Sequence, residues 1–573
     1  MSESPCVETA KGPVRGKVVG SSKYPNAKQV YRFSSIPFAK PPVGDLRFER
    51  PQDSEPWSEV LDATRQIVSP MQDTSAWEQL KAYVVSDDLS KEENENVSED
   101  CLYLNVYTNT VNNKANLPVL VWLYGGGLTM GGALGYNGQT ICSMQDVVVV
   151  IPNYRVNVFG FFTAGKNTKW KGNMGFFDQL KALEWVKHNI KVFGGNPDNV
   201  TLFGQSAGAV SVGYHVMSPL SRGYFHRAIS HSGTATMPIS IPYHTAKLTS
   251  DCPNNFGCTT TDPDEMVAAL KKVSAEKILE AQGEAYKKFP MGAFGLTVDG
   301  EFILGEGTET ITKPESIAPV PYIVGCNNTE SLYGFNHSIL IRLSHTIIHI
   351  NVSNLISLPC KTAAKKYSVT QDSQREAVGK LLKEKYIQNY SVDDKHRWSK
   401  TAGEMFADMW FIIPSLLQAN AHADAGHPTY FYYMTQAAKV FHSKEYVLSG
   451  ELKPKVDFCE CDHGDDLIYT FGYPHSTTKL APVVKFTDEE RKMSEQWMNY
   501  IANFAKTGNP NTGDKEVPLQ WPIYKSSERN HLTAQFPFGI GQNLSGDKFK
   551  FHTETIAEIL VEYIPRHSLI SFI

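Results

Sequence analysis

The chain has 573 residues, 41% of them hydrophobic and 11% aromatic, a composition that fits a well-packed globular protein and excludes a disordered or fibrous one. Its formal net charge of -5, with both signs mixed along the chain, argues against nucleic acid as a partner. Apolar runs such as Val147 to Ile151 fall far short of a bilayer span, and the polar, acidic opening Met1-Ser-Glu-Ser-Pro-Cys-Val-Glu8 has no signal-peptide character.

An ordinary length prior gives roughly three or four domains, but no linker divides this chain, and the expectation is one domain over residues 1–573. Taken in order, Asp73 to Glu99 is polar and charged, and Ser90 to Asn96 reads as an exposed loop. Pro118-Val-Leu-Val-Trp-Leu-Tyr124 is a continuous apolar run before glycines, as a strand buried on both faces reads, and Val147 to Ile151 is another. Phe176 to Phe193 places Phe176, Leu180, Leu183, Trp185 and Ile190 at mostly helical spacing and stops at Gly194-Gly195. Asn196-Pro-Asp-Asn199 then turns into the strand Asn199 to Phe203, followed by Gly204-Gln-Ser-Ala-Gly208 and a segment of small residues to Val212. Tyr322 to Gly325 and Thr429 to Tyr433 are further strands, and Ser338 to Tyr390 is helical in flavour and placed as a cover over the site. Alternating strands and helices predict an α/β fold with a mostly parallel sheet covered by helices on both faces. No repeat or low-complexity tract interrupts it.

The nine cysteines are an odd number with no zinc-site spacing to histidines, and Cys459-Glu-Cys461 is too short for a metal clip. They read as free, partly buried thiols, with no metal implied. Gly204-Gln-Ser-Ala-Gly208, between a strand and a helix, has the pattern of a nucleophile elbow. The glycines two before and two after Ser206 leave room for a sharp turn that lifts its hydroxyl to the end of a helix. By itself the pattern also fits a glycine-rich turn.

A serine needs a base, an orienting acid and donors for an oxyanion. Gly125-Gly126-Gly127 follows a buried strand, so its amides can turn toward one point with no side chain in the way; with Ala207, the expected oxyanion donors are Gly126 and Gly127. Seventeen histidines are too many to choose by count. His463 stands out, in the polar, turn-like Cys461-Asp-His-Gly-Asp-Asp466 before an apolar run, while His215 in the elbow helix reads as core. Glu330 lies in a loop after the strand Tyr322 to Val324, a place that suits a solvated glutamate equally well; Asp457 and Asp462 are the alternative acids.

The whole chain resembles the type-B carboxylesterase and cholinesterase family of α/β-hydrolases. The matching stretches are Phe38-Ala-Lys-Pro-Pro-Val-Gly-Asp-Leu-Arg-Phe48, Ser98-Glu-Asp-Cys-Leu-Tyr-Leu-Asn105, the Tyr-Gly-Gly-Gly loop from Tyr124, Asn153-Tyr-Arg155, Phe193 to Asn199, the elbow, Gly325 to Glu330, and Asp462-His-Gly-Asp465. The resemblance implies a Ser206–Glu330–His463 triad, one large domain with loops and helices built over the sheet, a small-molecule ester substrate and no cofactor or metal. Its runners-up are a catalytically silent binding or adhesion relative and a specialised esterase of juvenile-hormone-esterase type. Gln205 stands where many members have Glu, Tyr124 where many carboxylesterases have His, and Ser331 where the residue after the acid is usually Gly. The usual partner of Cys101 is missing, and that of Cys258 falls at about Ala269, which implies a cytoplasmic protein without the common disulfides. The stretch around Lys91, where cholinesterases carry a choline-stacking Trp, has no aromatic, and Trp77 is a poor substitute, so uncharged esters are expected over choline esters.

Overall fold

Leu117–Leu123 is buried from Pro118 onward, and a strand apolar on both faces must be covered on both sides. Its side chains alternate between two cores. Leu120 and Trp122 pack with Phe203, Ile229, Tyr432 and Trp497, whereas Val119, Val121 and Leu123 pack with Leu183, Leu202, Val212 and Phe431. The computed structural model describes residues 4–20, 24–25, 27–65, 68–74, 97–165, 167–237, 260, 262–288, 295–330, 380–382, 384–438, 458–476 and 485–556.

Among the described residues, eleven strands form the central sheet. They are β1 (Lys17–Val18), β2 (Tyr31–Pro37), β3 (Tyr103–Thr108), β4 (Leu117–Leu123), β5 (Val148–Pro152), β6 (Gly195–Gln205), β7 (Arg227–His231), β8 (Tyr322–Asn327), β9 (Thr429–Met434), β10 (His531–Ala534) and β11 (Gly539–Gly541). The spatial order is β11-β10-β9-β8-β7-β6-β4-β5-β3-β2-β1. From β5 to β10 every neighbouring pair is parallel, and both edges are antiparallel.

The long helices are α1 (Met174–Asn189), α2 (Ala207–Met217), α3 (Ile413–Asp424) and α4 (Asp488–Thr507). Helices α1, α2 and α3 feed one core through Leu183, Val212 and Leu416, while α4 feeds the other through Met493, Trp497 and Phe504. A capping box starts α4: Thr487 Oγ1 accepts from the Glu490 amide and Glu490 Oε2 accepts from the Thr487 amide. This is the α/β-hydrolase architecture, a large mixed sheet flanked by helices. The chain leaves β4 for β5 on one side and crosses to β6 on the other, so the carboxyl ends of β4 and β6 meet at a topological switch point, where open α/β sheets bind ligands.

Each expected strand is present: β4 and β5 keep the length of their apolar runs but are offset by one residue, whereas β6, β8 and β9 run longer than expected. The helix expected over Phe176 to Phe193 starts at Met174 and tightens into a 3₁₀ turn at Ile190–Phe193. The antiparallel edge strands escaped the sequence reading. In β2 a register shift between Phe33 and Ile36, with Ser35 at φ 56, breaks the alternation that would mark a strand. Most of the Asp73–Glu99 loop and of the cover placed at Ser338–Tyr390 lies outside the described residues, as do Trp77, Lys91, Cys252, Cys258 and Cys360. No described helix is long and apolar enough to cross a membrane.

Candidate active site

Strand β6 ends at Gln205 and α2 begins at Ala207, so Ser206 alone makes the turn, at φ 56 and ψ -126. That strain is costly for a side chain that is not glycine and persists only where its surroundings enforce it. Here they do. The Ser206 amide donates to the His231 carbonyl at 2.9 Å, and its carbonyl accepts from the Val210 amide at 2.9 Å. A Cβ on Gly208 would sit 2.0 Å from the Leu123 carbonyl oxygen, and one on Gly204 would sit 2.6 Å from the Gly208 carbonyl. Only glycine fits at either position.

The glycine loop lies against this turn: a Cβ on Gly125 would be 3.0 Å from the Ser206 Cβ. Gly126 and Gly127 have φ of 116 and 64, and the Gly126 carbonyl accepts from the amides of Thr129 and Met130, which folds the loop tightly. Below it, Tyr124 and Tyr154 stack at 4.2 Å, and each hydroxyl donates to the other's backbone carbonyl. Ala207 opens α2, whose first amides have no intrahelical acceptor. Ser206, Gly126, Gly127 and His463 are all partly exposed, whereas their neighbours Gly125, Gln205, Ala207, Asp462 and Gly464 are buried.

His463 and Glu330 meet across the sheet edge. His463 Nδ1 lies 2.6 Å from Glu330 Oε2, and Glu330 Oε1 accepts from the Asn327 amide at 2.8 Å. The glutamate is fully buried and the imidazole is 25% exposed. Burial lifts the Glu330 carboxyl above its usual value, although His463, Ser232 and the Asn327 amide favour the carboxylate. Burial opposes charge on the imidazole too, but Glu330 outweighs it, with Asp462 and Asp466 adding, and His463 is held above its usual value. Phe411 packs on the ring at 4.6 Å, and the His463 Nε2 lies 3.1 Å from the Gln205 side-chain nitrogen. Asp462 has another place: its Oδ1 accepts from the His463 amide and its carbonyl from Asn327 Nδ2. Asp457 lies outside the described residues.

A second buried group ties these loops together. His231 Nδ1 lies 2.8 Å from Asp466 Oδ2, which also accepts from the Tyr432 hydroxyl at 3.1 Å. Burial works to raise the Asp466 carboxyl, yet the bonds from His231, Tyr432 and Asn327 hold it below its usual value. Nothing in the sequence singled out His231, which ends the short, mostly buried strand β7, or Phe411. Asp466 was visible only as part of the polar cluster around His463. His215 is core, as expected, bonded to Ser221 and Gln179.

Two further pairs fix the frame. Arg47 holds Glu99 through Nε at 2.6 Å, and Arg155 holds Asp178 through Nε and Nη2, each at 2.8 Å. The first joins two of the family-like stretches, Phe38 to Phe48 and Ser98 to Asn105, and the second ties Asn153-Tyr-Arg155 to α1. A sequence model of the carboxylesterase family matches residues 3–552. The chain belongs to the carboxylesterase family. Among its relatives, carboxylesterase 1D of Rattus norvegicus is 36% identical over 98% of this chain and 95% of its own length. The pyrethroid hydrolase Ces2e of Rattus norvegicus is 35% identical over 98% of this chain and 91% of its own, and the cocaine esterase of Homo sapiens is 35% identical over 98% and 93%. This carboxylesterase is therefore a carboxylic ester hydrolase of the serine type, acting on small-molecule esters.

Proposed function

We propose that the esterase works through Ser206 as nucleophile, His463 as general base and Glu330 as the acid that orients it, with the amides of Gly126, Gly127 and Ala207 as oxyanion donors. The observation that carries this reading is the 2.6 Å contact between His463 Nδ1 and Glu330, which commits Nδ1 and leaves Nε2, at the elbow, as the basic nitrogen. Ser206 Oγ attacks the ester carbonyl while its proton passes to His463 Nε2. The carbonyl electrons move onto oxygen, where the three amides receive them. Collapse of the tetrahedral intermediate expels the alcohol, which takes the proton from Nε2. Water then attacks the acyl-enzyme with Nε2 as base again, and the carboxylic acid leaves. Glu330 stays ionised and stabilises the imidazolium.

A fluorophosphonate probe labels Ser206 stoichiometrically, as peptide mass spectrometry would show. Folded protein without an adduct on this serine would overturn the assignment. We propose further that the substrates are uncharged esters, since the stretch around Lys91 supplies no aromatic platform for a quaternary ammonium. Comparing kcat/KM for butyrylcholine and an uncharged butyrate ester of similar size decides this. A preference for the choline ester of about tenfold, or about 1.4 kcal/mol, would sink it. The buried free thiol at Cys101 supports a cytoplasmic, reducing location.

A further inference from the structure

A proline interrupts the helical run that leads into α3. Pro414 has no amide to donate to the Trp410 carbonyl four residues back, and its ring crowds that carbonyl. The chain answers with a π-helical turn at Asp408–Ile412, between the helix Arg397–Ala407 and α3, closed by the Ile413 amide donating to the Asp408 carbonyl five residues earlier. Such a turn gives up part of the regular ladder, so contacts from elsewhere have to hold it. At one end the Thr236 hydroxyl donates to the Pro414 carbonyl at 2.7 Å. At the other end Asp408, fully buried, accepts through one carboxylate oxygen from Lys548 Nζ at 2.8 Å and from the Tyr386 hydroxyl at 2.9 Å. Lys548 Nζ also donates to Glu404 Oε1 at 2.7 Å, one helical turn before Asp408. Its own helix, Gly546–Lys550, continues into Phe551–Thr555, where His552 Nε2 lies 2.7 Å from the Tyr386 hydroxyl. Midway between the two fastenings is Phe411, whose ring packs on the His463 imidazole at 4.6 Å.

We propose that Lys548 is a positioning residue: by tying Glu404 and Asp408 to the helix Gly546–Lys550, it fastens the π-helical turn that sets Phe411 on the His463 ring. Glu330 holds the ring at Nδ1 only, in one direction. Phe411 closes one face of the imidazole, and it fixes the ring there only if its own backbone is fixed. Both members of the tie depend on each other. Burial lifts the Asp408 carboxyl above its ordinary value, against the pull of Lys548 and Tyr386. Burial also opposes charge on Lys548, but Asp408 and Glu404 outweigh it and hold the ammonium above its ordinary value. Without the ammonium, Asp408 is a buried carboxylate stripped of its counter-charge. It then takes up a proton or swings toward water, and in either case the turn loses its fastening and Phe411 its place. Small displacements around a base are costly, because the reacting groups must stay aligned.

This role rests on His463 being the base for Ser206, and the experiment keeps the two apart. The second-order rate of fluorophosphonate inactivation and kcat for an uncharged short-chain ester are measured on the full chain. The forms compared are wild type, Lys548→Met, Lys548→Arg, Phe411→Leu and the double variant Lys548→Met with Phe411→Leu, each well below its own melting temperature. Lys548→Met lowers both rates about tenfold. Lys548→Arg, which still reaches both carboxylates, recovers most of that loss. Phe411→Leu also lowers them about tenfold, and adding Lys548→Met to it costs less than about twofold more, because no aromatic ring is left to misplace. A merely structural Lys548 would give independent losses, about a hundredfold in the double variant. If Lys548→Met does not fold, Lys548→Gln, which keeps a donor group, takes its place in the cycle. Independent losses, unchanged rates in either single variant, or no recovery with Lys548→Arg overturns the role of Lys548 while the triad stands. A wild type that leaves Ser206 unlabelled takes both down.

Discussion

His463 is pulled two ways: burial disfavours its charge, and the Glu330 carboxylate, backed by Asp462 and Asp466, more than restores it. The folded-state value therefore lies above the usual 6.5. Because the base must be neutral to accept the serine proton, kcat/KM rises with pH along a limb centred above that value. A limb centred below it would mean another group is the base. Stability runs the other way. The charged pair stabilises the fold fully below the unfolded imidazole value and loses that contribution as pH rises through the folded one, so the melting-temperature advantage of wild type over His463→Ala narrows with rising pH. His463→Ala costs at least about a thousandfold in kcat, since proton transfer and the cooperation of the triad disappear together. Glu330→Gln costs less, about tens to a thousandfold, because the ring keeps its place but loses its counter-charge. Near-normal turnover in Glu330→Gln would move the acid elsewhere.

At the scale of the element, the turn between β6 and α2 depends on contacts that no side chain can share. The Gly208 Cα faces the Leu123 carbonyl of β4, a backbone atom fixed in the middle of the sheet, and a new Cβ there would stand 2.0 Å away. Gly208→Ala therefore pushes α2 off the sheet and tilts Ser206 away from the glycine loop. The expected loss is about 1–3 kcal/mol of stability, read by denaturant unfolding, with activity falling by at least about a hundredfold. An alanine variant with wild-type turnover would show that the elbow tolerates a Cβ. This turn was legible in the sequence because its geometry demands glycine at two fixed offsets between an apolar run and a helix. The edge strands were not. Strand β1 is Lys17–Val18 alone, and β2 carries buried Ser34 and Ser35 across a bulge, so neither shows the period-two pattern that marks a strand.

At the scale of the whole molecule, Cys101, Cys142 and Cys326 are buried free thiols. Burial lifts the Cys101 thiol well above its ordinary value, with Asp178 adding, which leaves it unreactive as a nucleophile. A reducing agent is expected to leave the melting temperature nearly unchanged, whereas losing a native disulfide typically costs about 2–5 kcal/mol. Thiol titration in denaturant, with and without prior reduction, checks this, and a large drop in melting temperature on reduction would contradict it. The sequence by itself determined the parallel centre of the sheet, the elbow and the glycine loop, because each is a local demand: apolar residues on both faces of a strand, or no Cβ at a crowded point. It narrowed the base to His463 through a polar cluster and left Glu330 no better than a solvated glutamate. Only the tertiary structure decided which carboxylate meets the imidazole, because Glu330 and His463 are 133 residues apart and are joined by the order of β8 and β9, not by any local pattern. The same holds for His231 and Asp466. Their roles depend on which strand ends the sheet brings side by side, and strand order is set by packing over the whole molecule.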